Sequence, residues 1–489
     1  MKRNIAANYV GRAASLAANF VFVPIYVSIV GVEAYGVIAF YTLLLTFTAL
    51  ADVGLSATFS RQAAQMADSK SLGQLLIAAE KVLLFSVGAC CLLIFLGAGW
   101  ISQNWLKSAS VLGDEIVVPS LRIMAVTFLP QIMLTLYSSG LLGLQRQVEA
   151  NIIQLALVVV RGGLVILPLL WSHSLILFFI WQMCVTIIFA GVARRMLIQS
   201  MGLNSLVGVR FEWEILRPHW RYAAGMATIT VISIINTQFD KVLISRLFTL
   251  AEYAYYSIAS ALAQLPIAAA TPIAVAFFPR LVASMVANKQ AVKDDSLSQF
   301  SRLIAFVAAL GGGGLAFFSP EVLSMWLQDP LIPKIVSQIT TTLAVGSIII
   351  CLNMPSYYAC LARGQTKVIA VVGAATLIIS VPGSFFALQS LGLWGGALMW
   401  VLVNAVHFVV LGVIVLRSEN SERLGGHLRE MPVPVAIALV PMFAGRLLAD
   451  WFSASSLLAC VFAVIAAVIS IVAFFSAAGL ISRLRRRKT

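Results

Sequence analysis

Charge is what this sequence has least of: Asp, Glu, Lys and Arg make up 11% of its 489 residues, against roughly 25% in a water-soluble chain. With 61% of the residues hydrophobic, a water-soluble protein is excluded. Histidine is scarcer still. His173, His219, His407 and His427 stand apart, with no HExxH or similar ligand spacing, so neither a metal centre nor metal-dependent hydrolysis is expected. The cysteines Cys90, Cys91, Cys184, Cys351, Cys360 and Cys460 fall within or beside apolar stretches and lack paired spacing, which makes them packing residues. The glycine run Gly311 to Gly314 is not followed by Gly-Lys-Ser/Thr, so it is no phosphate loop; small residues there let membrane helices approach closely. There is no ATP-binding motif, no cofactor is expected, and no basic, aromatic-interleaved module for reading nucleic acid exists.

What is present is apolar length. A spanning helix needs about 20 apolar residues, and fourteen runs qualify, two of them short. The first six are Tyr9 to Val30, Tyr35 to Ser56, Val82 to Ile101, Val117 to Gly140, Ile152 to Leu170 and Ser174 to Ala193. Tyr222 to Ser245, Tyr253 to Ala276, Leu303 to Phe318, Ile335 to Tyr358, Val368 to Leu388 and Leu391 to Leu416 follow, and Pro432 to Gly445 and Ser455 to Gly479 close the chain. The fold expected is an all-α integral membrane protein of about 14 transmembrane helices. Alternating the connections across the bilayer puts 25 of the 33 Lys and Arg on the side holding both termini and four, Lys107, Arg246, Lys334 and Arg446, on the other. Both termini are therefore expected in the cytoplasm. The first run contains Arg12 and precedes thirteen more, so it is expected to be retained as a helix rather than cleaved as a signal peptide. The net charge of +14 suits an anionic membrane surface.

A repeat lies beneath the helix count. At an offset of 219 residues Glu33 matches Glu252, Phe59 matches Phe278, Arg61 matches Arg280 and Met66 matches Met285; one step further, Leu141 pairs with Leu361 and Gln145 with Gln365. Six helices separate the copies, so they share one orientation and predict two six-helix lobes related by a pseudo-twofold along the membrane normal. The expected domains are 1-193 and 222-417, joined by a cytoplasmic linker at 194-221 that reads as an amphipathic hinge, with 418-489 as an extra helix pair and basic tail. Pro24, Pro266 and Pro272 are candidate bending points.

The stretch Asn236-Thr-Gln-Phe-Asp240-Lys-Val-Leu-Ile-Ser-Arg246, with Glu252-Tyr-Ala-Tyr-Tyr256 and Phe277-Phe-Pro-Arg280-Leu, resembles the oligosaccharide flippases of the multidrug/oligosaccharidyl-lipid/polysaccharide exporter superfamily. Val32-Glu-Ala-Tyr-Gly36, Ala51-Asp-Val-Gly-Leu55 and Gly143-Leu-Gln-Arg146 add to the resemblance, which spans most of the first twelve helices. It implies a transporter of the bacterial inner membrane, not an enzyme, moving undecaprenyl-diphosphate-linked repeat units such as O-antigen units to the periplasmic leaflet. It also implies membrane lipid, a polysaccharide polymerase and a chain-length regulator as partners.

An ionisable side chain at a helix centre costs about 2.5 to 3.5 kcal/mol to insert, which makes each one a functional candidate. Arg161 is the deepest, roughly 14 Å from its helix start at about 1.5 Å per residue. Arg12, Arg122 and Lys241 lie about one turn from a helix end, where lining a lumen and snorkelling to the interface are both open. These four are the expected substrate-binding cations of a central cavity. On the seventh run Thr230, Ser233, Asn236 and Asp240 recur at helical spacing and share a face, suited to a cavity or to interhelical hydrogen bonds. Asp240, Asn236, Asp52 and His407 are the candidates for ion coupling or lumen polarity; Asp52 could instead pair with Arg12 or Arg61, and His407 could be structural. Gln131, Asn353 and Asn404 read as helix glue. Two rivals stay open: a cation-coupled drug exporter of the same superfamily, expected to carry more intramembrane carboxylates, and a membrane-embedded glycan polymerase or ligase, expected to carry a large outer loop.

Overall fold

The computed structural model describes residues 20–65, 68–107, 112–203, 217, 220–286, 290–328, 334–417 and 426–486. Arg12, the start of the first apolar run, His219, most of the linker and the end of the basic tail lie outside the described residues. Among those described, the regular structure is helical, joined by short turns, with one isolated bridge between Lys107 and Thr249. Thirteen helices or helix runs are long and apolar enough to cross a membrane, and the shorter apolar helix α1 (Phe20–Val30) is the described part of the first run. Thirteen of the fourteen runs expected from hydropathy are matched by these segments, with differences at the ends, and the first is described only over Phe20–Val30.

In chain order the elements are α2 (Val32–Ala51), α3 (Leu55–Gln65), α4 (Ser69–Trp100), α5 (Asp114–Gly143), α6 (Gln147–Leu157), α7 (Ile166–Ser172), α8 (Leu175–Ser200) and α9 (Trp220–Leu247). They continue as α10 (Leu250–Ala263), α11 (Leu265–Val286), α12 (Gln290–Leu327), α13 (Lys334–Ala362), α14 (Thr366–Leu391), α15 (Leu393–Arg417), α16 (Pro432–Trp451) and α17 (Ser456–Arg486). The chain forms two compact units, 1–255 and 256–489.

The ends differ from the hydropathy runs for local reasons. α4 begins at Ser69 rather than Val82 because Asp68 caps it, accepting from the backbone N–H groups of Lys70 and Ser71. The Ser71 hydroxyl also donates to Asp68, at 2.5 Å, and holds that carboxyl below the usual range. The second run breaks after Ala51: Val53 and Gly54 take φ of 50° and 72°, and α3 restarts beyond them. α12 is longer than the run Leu303 to Phe318 and bends at Phe318, just before Pro320. The eighth run divides at Gln264, one residue before Leu265-Pro266 opens α11.

In the first unit, close approaches seat α2 on α9 and on the start of α10. A Cβ at Gly36 would lie 2.4 Å from the Leu250 carbonyl oxygen, and one at Gly54 would lie 2.4 Å from that of Ala223. The Tyr253 hydroxyl donates to Ala39 O at 3.3 Å beside the first contact. At this same end of α9, Trp105 donates to Ser245 Oγ at 3.1 Å, Arg246 stands 5.4 Å over the Trp105 ring, and Leu250 N donates to Lys107 O at 3.0 Å. In the second unit the glycine run does what close packing requires: a Cβ at Gly312 would meet Ile348 of α13 at 2.3 Å, and one at Gly313 would meet Leu439 of α16 at 2.6 Å. Phe306 stacks on Phe474 at 4.1 Å and Arg446 pairs with Glu321 at 2.6 Å, so the C-terminal pair is packed on α12. Cys351 and Cys360 belong to the core of this unit, whereas Cys90 and Cys184 are exposed.

The repeat shows in the turns after α5 and α13. Arg146 N donates to Leu141 O and Gln145 N to Leu142 O; Gln365 N donates to Cys360 O and Gly364 N to Leu361 O. The left-handed residues are Gln145 and Gly364. At these two turns the hydrogen bonds correspond at an offset of 219, which sets Gln365 beside Arg146 rather than Gln145.

Candidate functional site

Arg161 sits in a π-helical turn, Val158–Gly163, between α6 and α7. Such a turn shifts the register and leaves backbone carbonyls without their usual donors, which inside a membrane must be satisfied by other means. Three successive carbonyls are. Trp181 Nε1 donates to Val160 O at 3.0 Å, Gln182 Nε2 to Arg161 O at 3.0 Å, and the Tyr26 hydroxyl to Gly162 O at 2.5 Å. Gly162 and Gly163 give α1 room: a Cβ at either would lie 2.9 or 3.3 Å from the Phe22 ring. Tyr26→Phe leaves the Gly162 carbonyl without its donor, at a cost of about 1 to 3 kcal/mol. The purified variant should melt below wild type by differential scanning fluorimetry, as should Trp181→Phe; unchanged midpoints for both would contradict this support of the turn.

The turn aims Arg161 at α5, where its Nη1 donates to Gln131 Oε1 at 2.7 Å. Gln131 is a neutral amide, so this contact brings no countercharge to the guanidinium. Ion pairs among the described residues include Arg146–Glu149, Arg194–Glu80, Arg302–Glu430, Arg446–Glu321 and Arg446–Asp450, and Arg161 is in none of these. Arg161 lines a cavity of about 190 Å³ with Phe22, Tyr26, Tyr35, Tyr41, Gln154 and Gln182 on its walls, and no carboxylate is among the described residues that line it.

Gln131 also lines a second cavity, of about 410 Å³, bounded by α2, α5 and α9 through Thr46, Thr48, Thr135, Thr230 and Ser233. Two residues of the seventh-run stripe, Thr230 and Ser233, thus face this space. Asn236 and Asp240, further along α9, do not line it and are engaged elsewhere; Asp240 is buried and acts electrostatically on the adjoining Lys241. Lys241 lines neither cavity.

The other expected residues are dispersed. Arg122 is exposed and stands 5.4 Å over the Phe95 ring. Nine residues before Gln131, it lies about 180° round α5 from Gln131 at about 100° per residue. Asp52 accepts the backbone N–H of Ser56 at 3.2 Å and its hydroxyl at 2.7 Å, capping the restart of the chain into α3. His407, in the second unit, meets Thr376 Oγ1 at 3.0 Å across α14 and α15. Arg12 lies outside the described residues, of which no group of three or more His, Cys, Asp or Glu is placed to hold a metal ion. The supports Tyr26, Trp181 and Gln182 were missed from sequence; the Gly162-Gly163 pair after a mid-helix arginine was the available signal of an irregular turn.

Comparison with known proteins agrees with this architecture. A protein of Shigella flexneri named as an O-antigen transporter is 24% identical over 386 residues, covering 76% of this chain and 87% of that protein. Among solved structures, the lipid II flippase MurJ in an inward closed conformation superposes with a TM-score of 0.73 at 13% identity, covering 98% of this chain and 99% of that one. An inward-facing multidrug-resistance MATE transporter of the MOP superfamily gives 0.69 at 13% identity, covering 86% and 99%. The fold is that of MurJ and the MATE transporters, and these relatives and neighbours are transporters and flippases, not enzymes. A multi-pass membrane chain of this fold, matched over residues 1–285 by the family model for polysaccharide biosynthesis proteins, belongs to that family.

Proposed function

We propose that this chain is a flippase carrying an undecaprenyl-diphosphate-linked oligosaccharide, an O-antigen or similar surface-polysaccharide unit, from the cytoplasmic to the periplasmic leaflet of a bacterial inner membrane. It works by alternating access, with both termini in the cytoplasm. The observation that carries this reading is Arg161: a cation at the middle of a membrane-length helix, braced by three capped carbonyls, hydrogen-bonded to a neutral amide and facing a cavity whose described lining holds no carboxylate. Holding such a charge in the bilayer is costly, and an anionic cargo recovers the cost. Arginine suits a diphosphate because its planar donors can hold phosphate oxygens in pairs and its charge survives burial. The polyprenyl tail stays in lipid.

The named activities of the Shigella flexneri protein and of MurJ support a lipid-linked glycan as cargo. A drug exporter selecting cations would be served by a carboxylate in the cavity instead. A polysaccharide polymerase and a chain-length regulator are the partners this function calls for. Deleting the gene should strip surface polysaccharide and leave lipid-linked oligosaccharide in the inner leaflet, with both defects reversed by the wild-type gene. Intact surface polysaccharide together with new sensitivity to cationic drugs would overturn the proposal in favour of the exporter.

A further inference from the structure

The second cavity offers a different chemistry from the first. Its hydroxyls already spend their protons on their own helices: Thr46 on Thr42 O at 3.1 Å, Thr48 on Leu45 O at 2.7 Å, Thr135 on Gln131 O at 3.1 Å and Thr230 on Met226 O at 3.0 Å. A threonine bonded back in this way turns oxygen lone pairs outward and acts as an acceptor. Ser233 adds a hydroxyl, and none of the described residues that line the space is charged. An acceptor surface repels phosphate. It would welcome a cation, except that Arg161 lies one side chain away across Gln131. What remains is a neutral ligand rich in hydroxyl donors, and the Ile132 and Ile234 walls suit the C–H faces of a sugar ring.

We infer that the cavity bounded by Thr46, Thr48, Gln131, Thr135, Thr230 and Ser233 is a carbohydrate subsite, which takes the sugar joined to the phosphate that Arg161 holds. This rests on the flippase reading above. Gln131 is the divider between the two subsites: its Oε1 steadies the guanidinium on one side, and its side chain forms part of the sugar wall on the other. The one side chain between them matches a glycosyl diphosphate, in which sugar and phosphate are directly bonded.

The test uses the full-length protein in nanodiscs and two probes, undecaprenyl diphosphate and undecaprenyl-diphosphate-linked N-acetylglucosamine. Wild type should bind the sugar-bearing probe about tenfold more tightly, the scale of two neutral hydrogen bonds. Thr135→Val combined with Thr230→Val should bind the bare lipid as wild type does but lose the sugar's gain, and the corresponding double serine variant should recover it. Arg161→Gln should weaken both probes. The inference is overturned if wild type gains nothing from the sugar, or if the double valine variant keeps the gain. It is overturned equally if that variant weakens on both probes alike while the serine variant binds both normally. Wild type that binds neither probe removes the flippase reading and this inference with it.

Discussion

Arg161→Ala should abolish export of lipid-linked oligosaccharide, while Arg122→Ala leaves it close to wild type. In a deletion strain complemented at matched expression, surface polysaccharide from Arg161→Ala should fall by roughly 10- to 100-fold, the equivalent of about 1.5 to 3 kcal/mol for hydrogen bonds to a charged group. Arg161→Lys should keep part of the activity, because it restores charge without the planar fork. The contrast with Arg122 follows from rotation about one helix. Both arginines lie within apolar runs, but Arg122 points away from Gln131 and spends its charge on the face of Phe95, an exposed contact of roughly 0.5 to 1 kcal/mol. Equal losses for the two variants would show that the cavity at Arg161 is not special.

The second large effect is on folding. Gly36→Ala with Gly54→Ala should remove most of the folded protein, because each added methyl carbon falls 2.4 Å from a backbone oxygen, at Leu250 and Ala223, which cannot swing aside as a side chain could. Overpacking typically costs about 1 to 3 kcal/mol per site, and Gly54 adds strain because its φ is +72°. Two such sites consume much of a stability on the order of 5 to 15 kcal/mol. Gly88→Ala is the control: nothing lies within 4 Å of a Cβ there, and alanine is the better helix former. Monodisperse yield by fluorescence-detected size exclusion should drop for the double variant and hold for Gly88→Ala; equal yields would contradict the seating of α2 on α9 and α10.

Hydropathy made the helix order legible because each span needs the same apolar length wherever it lies. It did not reveal ends set by capping, such as the thirteen polar and mixed residues that Asp68 adds before Val82 in α4, nor the break at Val53 and Gly54 inside a continuous apolar run. Depth along the chain singled out Arg161, since a mid-helix cation is expensive whatever surrounds it. Its partner was not legible in the same way: Gln131 is 30 residues away and meets it only through the packing of two helices. Asp52 shows the reverse, an acid near a membrane helix end whose hydrogen bonds are local; the Ser56 four residues on was the signal for that cap. The seventh-run stripe was legible as one face, but packing divided it, opening Thr230 and Ser233 to a cavity and burying Asp240. The glycines of the Val32-to-Gly36 and Ala51-to-Leu55 motifs acquired their reason only in the fold, as the points where another chain segment comes too close for any side chain.

The central claim is that a braced intramembrane arginine selects an anionic, lipid-linked cargo. The most direct measurement is flipping of a labelled undecaprenyl-diphosphate glycan in proteoliposomes, with wild type, Arg161→Lys and Arg161→Ala reconstituted at equal density beside a lipophilic cation as competing cargo. The expected result is glycan flipping by wild type, reduced flipping by the lysine variant, none by the alanine variant, and no transport of the cation by any of them. Flipping by Arg161→Ala at the wild-type rate, or transport of the cation in place of the glycan, would contradict it.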